Sequence, residues 1–365
     1  MRDARPVRDL DSLLLLLALG ICTLGLVEIY SATRSTALAG MHWKQLTWIL
    51  LGMGCMLVMA RIDYHRIVDQ APTLYAVGIA LLVLVLIPGI GVVKFGARRW
   101  LGASGVYLQV SEFMKLVIII VLARFFSEVR SERLSFPDFI KAGVLTGLPV
   151  GLILLQPDLG SSLVLIPILV VGAYLAGLQW KHAAAILMVG ILLLPVGWFF
   201  VLKDYQKERI ETFLRPEASP RGSGYQVLQS KIAVGSGGLR GKGIGQGSQN
   251  QLGFIPVRWS DFILAALGEE LGFLGVFATL ALYGFVLYRL WRIAQTAKDR
   301  AGMYIVMGVA AVIGFHVLVN VAMVIGYMPV TGIPLPLMSY GGSATLFTFI
   351  ALGLVMNVRM RRFVN

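Results

Sequence analysis

Charge is scarce in this chain, and negative charge scarcest: 14% of its 365 residues are charged, with 19 Asp and Glu against 32 Lys and Arg. Soluble domains carry about 25% charged and roughly 45–50% apolar residues. A hydrophobic share of 57% therefore excludes an ordinary soluble domain and reads as a polytopic membrane protein. The two cysteines, Cys22 and Cys55, both fall inside apolar runs, which excludes a disulfide framework. The four histidines, His42, His65, His182 and His316, are scattered without the spacing of a metal site. P-loop, nucleophile elbow and dinucleotide fingerprint are all missing, and the glycines of Gly241-Lys-Gly-Ile-Gly-Gln-Gly247 lack a strand-to-helix context. Tandem repeats and nucleic-acid modules are missing too, so the net charge of +13 points to anionic headgroups and phosphate-bearing membrane lipids rather than nucleic acid.

What is abundant is apolar sequence. Spanning a bilayer takes about 20 residues, and runs near that length lie at 12–32, 45–60, 71–88, 111–127, 139–155, 160–178, 183–202, 262–288, 302–326 and 343–358. They predict an all-α polytopic fold of about ten transmembrane helices in a single integral membrane domain, 1–365. Arg2, Arg5 and Arg8 before the first run imitate a secretory signal, but at about 18 residues the run from Leu13 to Tyr30 exceeds the usual 7–15-residue signal core and reads as a span. An even count puts both termini on one side. The N-terminal arginines then share a face with Arg61, Arg66, Arg130, Arg133, Lys141, Lys181, Arg289, Arg292, Lys298, Arg300, Arg359, Arg361 and Arg362, which the charge bias of short loops assigns to the cytoplasm. Two basic clusters fall outside: Lys94, Arg98 and Arg99, and a large extracytoplasmic loop, 203–260. The second half of that loop is glycine-rich. It is either a flexible linker or a place where backbone amides close on an anion, and composition favours the linker.

Four segments combine polar chemistry with membrane depth. Gln249-Asn-Gln-Leu-Gly-Phe-Ile-Pro-Val-Arg-Trp-Ser-Asp261 ends the long loop with one carboxylate at the mouth of an apolar helix. Asp261 could simply cap that helix. Nearby Arg258 and the pair Glu269-Glu270 favour function, because three acids near one membrane helix are costly for capping alone. Arg98-Arg99-Trp100 precedes a helix carrying Glu112 and Lys115, three apart on one face; they either neutralise each other or wall a polar cavity, and paired arginines suit a diphosphate. Gln156-Pro-Asp-Leu-Gly160 is a tight hairpin that puts Asp158 on the same face as Asp261. The three prolines of Tyr327-Met-Pro-Val-Thr-Gly-Ile-Pro-Leu-Pro-Leu-Met-Ser-Tyr-Gly-Gly-Ser343, which includes Ser339, forbid a regular helix, so this stretch must be buried or line a cavity. His316 and Asn320, four apart, read as an interhelical hydrogen-bonding pair.

In this order and on one face, these segments resemble the SEDS family of cell-wall proteins (RodA, FtsW, SpoVE). The similarity spans nearly the whole chain and rests on Gly241 to Pro256, Ser260-Asp-Phe-Ile263, Gly268-Glu-Glu-Leu-Gly272, Gln156 to Gly160 and Gly332 to Ser343. The Gly-Lys-Gly segment looks more like the elongation member, RodA, than the division member, FtsW. Two departures stand out: Trp259-Ser260 occupies the place of the family's usual His-Thr, and Val110 that of a frequent proline.

The resemblance implies a peptidoglycan glycosyltransferase of the bacterial cytoplasmic membrane, polymerising lipid II on the outer face. Asp261 would be its general base, and Arg98, Arg99, Trp100, Glu112, Lys115, Gln156, Asp158, Lys242, Arg258 and Ser339 would form the substrate site. Expected besides are a divalent cation, Mg²⁺ or Mn²⁺, no organic cofactor, and a class B penicillin-binding protein as partner within the elongation machinery. Competing readings are a lipid II flippase and a non-catalytic scaffold for that transpeptidase.

Overall fold

The structure, a computed structural model, describes residues 11–94, 96–103, 106–129, 133–179, 181, 182, 184, 188, 204–215 and 222–363. Its first helices are α1 (Ser12–Thr33), α2 (Met41–Arg61), the short α3 (Tyr64–Asp69) and α4 (Ala71–Leu86). Then come α5 (Val110–Glu128), α6 (Phe136–Leu155) and α7 (Leu159–Leu175). The long loop carries α8 (Asp204–Leu214), α9 (Ser223–Gly237) and α10 (Ser248–Gln251), and the chain closes with α11 (Ile263–Gln295), α12 (Arg300–Val324) and α13 (Gly342–Met360). Every expected run but one is thus a helix; the run 183–202 lies, apart from Ala184 and Met188, outside the described residues. Among the described residues six helices (α1, α2, α6, α11, α12, α13) are long and apolar enough to cross a membrane and α4 and α7 are shorter apolar ones, and the chain is a multi-pass membrane protein.

Two expectations are corrected. The stretch after α4, read as a loop, is an antiparallel sheet of β1 (Val92–Lys94), β2 (Ala97–Ala103) and β3 (Val106–Gln109), in that order. Its valines and aromatics suit a pleated surface, and β3 runs directly into α5. The glycine-rich loop is no free linker either, because α9, α10 and the turns between them dock on α11.

Glycines let helices approach closely where lipid provides no hydrophobic drive between them. A Cβ on Gly353 of α13 would lie 2.5 Å from the Met56 carbonyl oxygen of α2, and one on Gly52 would lie 2.7 Å from the Phe349 ring. The irregular segment before α13 threads this bundle. Its carbonyls accept from side chains on neighbouring helices: Tyr283 bonds Pro336, His316 bonds Pro334 and Asn320 bonds Ile333, at 2.5–2.8 Å. Non-helical backbone survives at this depth because those bonds replace a helix's own.

Candidate active site

The loop that delivers Asp261 is anchored by a break in α11. Gly272 sits at φ +67°, outside helical geometry, which frees two carbonyls on one side of the break and two amides on the other. The loop fills all four positions: Lys242 and Gly243 amides donate to the Glu269 and Glu270 carbonyls, while Phe273 and Leu274 amides donate to Gly238 and Leu239. A Cβ at Gly241 would fall 2.1 Å from the Glu270 carbonyl oxygen, so the approach requires glycine there.

The two glutamate side chains finish the anchor. Both are fully buried. Glu269 accepts from Lys242 Nζ (2.7 Å) and from the Gln249 and Asn250 amides (2.9 Å each). Glu270 accepts from the Gly245 amide (2.9 Å), Asn250 Nδ2 (2.6 Å) and Ser31 Oγ of α1 (2.6 Å). The glycine-rich backbone does close on anions, and they are the protein's own carboxylates. Lys242, expected in the substrate site, is committed to this anchor.

Asp261 has a different environment. The residue capping α11 is Phe262, and no side chain caps that helix, so the capping reading of Asp261 fails. Its Oδ1 accepts from Ser260 Oγ at 2.9 Å, and its backbone carbonyl accepts from Asn320 Nδ2 at 2.8 Å. Ser339 Oγ donates to the Ser260 carbonyl and accepts from the Leu335 amide, while Tyr340 N donates to the Trp259 carbonyl. The segment from 331 to 340 thus forms a wall on which the Asp261 turn is pinned, with Leu337 held at φ +68° and Val257, just upstream, at φ +50°. Backbone strain of this kind persists where surrounding bonds over-determine it.

Asp261 remains partly open while its surroundings are apolar enough to push its carboxyl above the ordinary value. The hydrogen bond from Ser260 and the charges of Arg209 and Arg99 pull the other way without cancelling the burial effect. Gly332 leaves the carboxylate uncovered: a Cβ there would stand 3.6 Å from Oδ2.

The second carboxylate joins through close packing. Gly160 opens α7 against the wall, its hypothetical Cβ 2.7 Å from the Thr331 carbonyl oxygen. Asp158 caps α7 through the Ser161 amide (3.2 Å) and collects Gln109 Nε2 (2.6 Å), Ser161 Oγ (2.9 Å) and Arg99 (3.5 Å). Gln109, at the end of β3, was not among the expected site residues; its place beside Arg99 comes from the sheet. Arg98 donates to the Leu86 carbonyl, and Trp100 pairs in register with Gln109. Buried Nε atoms of Arg98 and Arg99, Thr331 Oγ1 and Asn320 Oδ1 have no hydrogen-bond partner, an under-satisfied rim of the sort that a polar ligand completes.

Glu112 and Lys115 form an ion pair at 2.7 Å, both almost fully buried. Lys115 also lies over the Phe347 ring and meets His316 Nε2 at 3.4 Å. Since His316 Nδ1 must donate to the Pro334 carbonyl, its Nε2 is left as the acceptor for Lys115. The pair is therefore wired to the wall beside Asp261 rather than lining an open groove. Gln156 is wholly buried and donates to the Leu82 carbonyl. Arg258 donates to the Ala32 carbonyl at 3.0 Å and lies over Trp259, which leaves Trp259 as packing where a histidine was expected.

Among the described residues no three His, Cys, Asp or Glu side chains gather as a cation site. The described carboxylates and histidines therefore do not by themselves supply a resident metal centre.

Residues 11–363 match the FtsW/RodA/SpoVE sequence profile, whose description is "cell cycle protein". The chain is 38% identical over 358 residues to the peptidoglycan glycosyltransferase MrdB of Escherichia coli K12, covering 97% of this chain and 94% of that one. Among solved structures it is similar to a chain of a peptidoglycan synthase complex that coordinates polymerization and crosslinking, with 34% identity, TM-score 0.84 and coverage of 98% and 99%. It is also similar to the rod shape determining protein RodA of Thermus thermophilus, with 30% identity, TM-score 0.73 and coverage of 98% of each chain.

Proposed function

The chain belongs to the FtsW/RodA/SpoVE family, and from that premise we propose that it is a peptidoglycan glycosyltransferase in which Asp261 is the general base. The observation that carries this reading is a partly open carboxylate that caps nothing, is pinned by its neighbours and feels two arginine charges.

The substrate that fits is lipid II. The 4-hydroxyl oxygen of one lipid-linked sugar forms a bond to the anomeric carbon of another, and the bond from that carbon to its diphosphate oxygen breaks, the electron pair leaving with the diphosphate. Asp261 receives the hydroxyl proton, which is worth about 10²–10⁴-fold. Attack opposite an α-linked diphosphate inverts the centre and yields a β-linkage. Diphosphate needs cations rather than a second acid to leave.

We place both termini in the cytoplasm and the site on the outer face, following the short-loop charges. The Gly-Lys-Gly segment supports work in elongation, beside a class B penicillin-binding protein. A divalent cation, if required, arrives with the diphosphate, since magnesium is bound through few protein ligands plus substrate phosphates. The flippase reading would use helices broken at Pro157 and Pro334 around a central site, and the Pro334 carbonyl is already bonded by His316. Here the break at Gly272 is filled by the chain's own loop, which leaves it no substrate role.

Purified protein in bilayers with lipid II tests the proposal. Wild type should produce glycan chains and Asp261→Asn none, with chelator and a cognate transpeptidase as separate additions. Undiminished polymer from Asp261→Asn removes it as the base, and headgroup translocation without polymer moves the chain to the transporter class.

A further inference from the structure

Arginine 99 is the basic residue that sequence points to for the diphosphate, yet its charge is already shared with Asp158 at 3.5 Å. Arg98 is turned to the Leu86 carbonyl. A different pair of cations is held in no ion pair, although the charge of one of them, Arg209, reaches Asp261. Arg209 on α8 and Lys231 on α9 line one small cavity with Thr212, Val227, Gly326 and Val330. Among the described residues neither side chain is in an ion pair or a hydrogen bond.

The cavity adjoins the reaction carboxylate through Val330, whose neighbours Thr331 and Gly332 form the wall beside Asp261. At about 40 Å³ it has room on the order of one to three waters, which suits a phosphoryl group and excludes a sugar ring. Lys231 reaches it because Gly326, at φ +77°, has no side chain: a Cβ there would fall 2.0 Å from Lys231 Cε. Ser230 Oγ donates to the Val324 carbonyl at 2.8 Å and fixes α9 at that point.

We propose that Arg209 and Lys231 form a phosphoryl-binding subsite that takes the diphosphate leaving the lipid-linked donor. This rests on Asp261 being the base of a glycosyl transfer. Two lipid-linked diphosphates meet in that reaction, one staying with the acceptor and one departing, and only the departing one is attached at the reacting carbon. It gains negative charge as its bond to the anomeric carbon breaks, so a cation pair held in no ion pair next to the base stabilises it more than an arginine already neutralised by a carboxylate. The Arg99 cluster is then left for the acceptor's headgroup. The same phosphoryl chemistry is offered by bilayer phospholipid, and the experiment separates the two.

Full-length Asp261→Asn protein in nanodiscs, which cannot turn over, is titrated with undecaprenyl diphosphate in neutral and in anionic lipid. Arg209→Gln and Lys231→Gln, each added to that background, should weaken binding about tenfold, and Arg209→Lys should restore most of it. In the otherwise native enzyme Arg209→Gln should lower kcat about 10²-fold with little change in KM for lipid II. Unchanged affinity in both glutamine variants overturns the subsite. So does loss of undecaprenyl diphosphate binding on passing from neutral to anionic nanodiscs, which assigns the cavity to phospholipid. Because binding is read without turnover, failure of wild type to polymerise lipid II would sink the glycosyltransferase reading and leave the diphosphate result standing.

Discussion

At the residue scale, Asp261 is expensive where it sits, and replacing it should move stability and activity in opposite directions. Burial raises its carboxyl above the ordinary value, so the folded protein holds a proton that the unfolded chain has released. Stability therefore falls as pH rises from about 4 through the raised value. Asp261→Asn, which cannot ionise, should melt higher than wild type at neutral pH while making no polymer. A lower melting temperature would mean the carboxylate is structural. Activity follows the ionised form, so the acid limb of the rate should lie above that of an exposed aspartate, and a limb near pH 4 would contradict the raised carboxyl of the base. Glu112 and Lys115 pose a different question, since removing one partner of a buried pair strands the other at about 3–5 kcal/mol. Glu112→Ala should therefore unfold easily and turn over slowly, whereas Glu112→Ala with Lys115→Met should regain much of the stability. If activity returns with it, the pair only holds the wall through His316; if activity stays lost, its charges serve the substrate.

At the scale of elements, the spans were legible because an apolar run of the right length has few other uses, and the wall was legible because three prolines rule out helix. The four polar segments were also found, since ionisable residues in apolar sequence stand out. What composition hid was every partner chosen across the chain. Ser31 bonds Glu270 from 239 residues away, and the loop's glycines read as a linker because nothing local shows that Glu269 and Glu270 face them. Gln109 was not expected in the site because the short sheet that carries it interrupts a membrane pattern, and Arg209 because it lies on a polar helix with no apolar contrast. The anchor makes a direct prediction. Glu270→Ala leaves the Gly245 amide, Asn250 Nδ2 and Ser31 Oγ without their acceptor, at about 1–3 kcal/mol each before relaxation. Limited proteolysis should then cut between 238 and 253, where wild type resists, and polymerisation should fall because Asp261 hangs from that loop. Continued resistance would show that the backbone bonds at the Gly272 break suffice.

At the scale of the whole molecule, the two ends mix the same interactions in different proportion. The end bearing Asp261 is held by side chains bonding backbone together with the Lys242–Glu269 and Arg99–Asp158 pairs, which fixes an irregular wall while leaving polar atoms for a ligand. The other end adds a charge clamp to the bonds of Asn357 with the Met59 and Ala60 carbonyls: Asp11 pairs with Arg289 at 2.7 Å and with Arg359, joining the start of α1 to α11 and α13, and Arg361 pairs with Asp63 at 3.1 Å. Burial works against ionisation of Asp11, but the bond from Arg289, the Leu14 amide and the charge of Arg359 outweigh it and hold the carboxyl below the ordinary value. For an acid shifted down, the stabilisation is complete above the unfolded value of about 4 and is lost as pH falls through the lowered one. Asp11→Asn should thus lower the melting temperature at neutral pH, by an amount equivalent to about 1–3 kcal/mol because the partly exposed Arg289 and Arg359 lose their charged partner. The gap to wild type should close as pH is taken below 4, and a gap that stays constant with pH would place the effect in helix capping instead of charge.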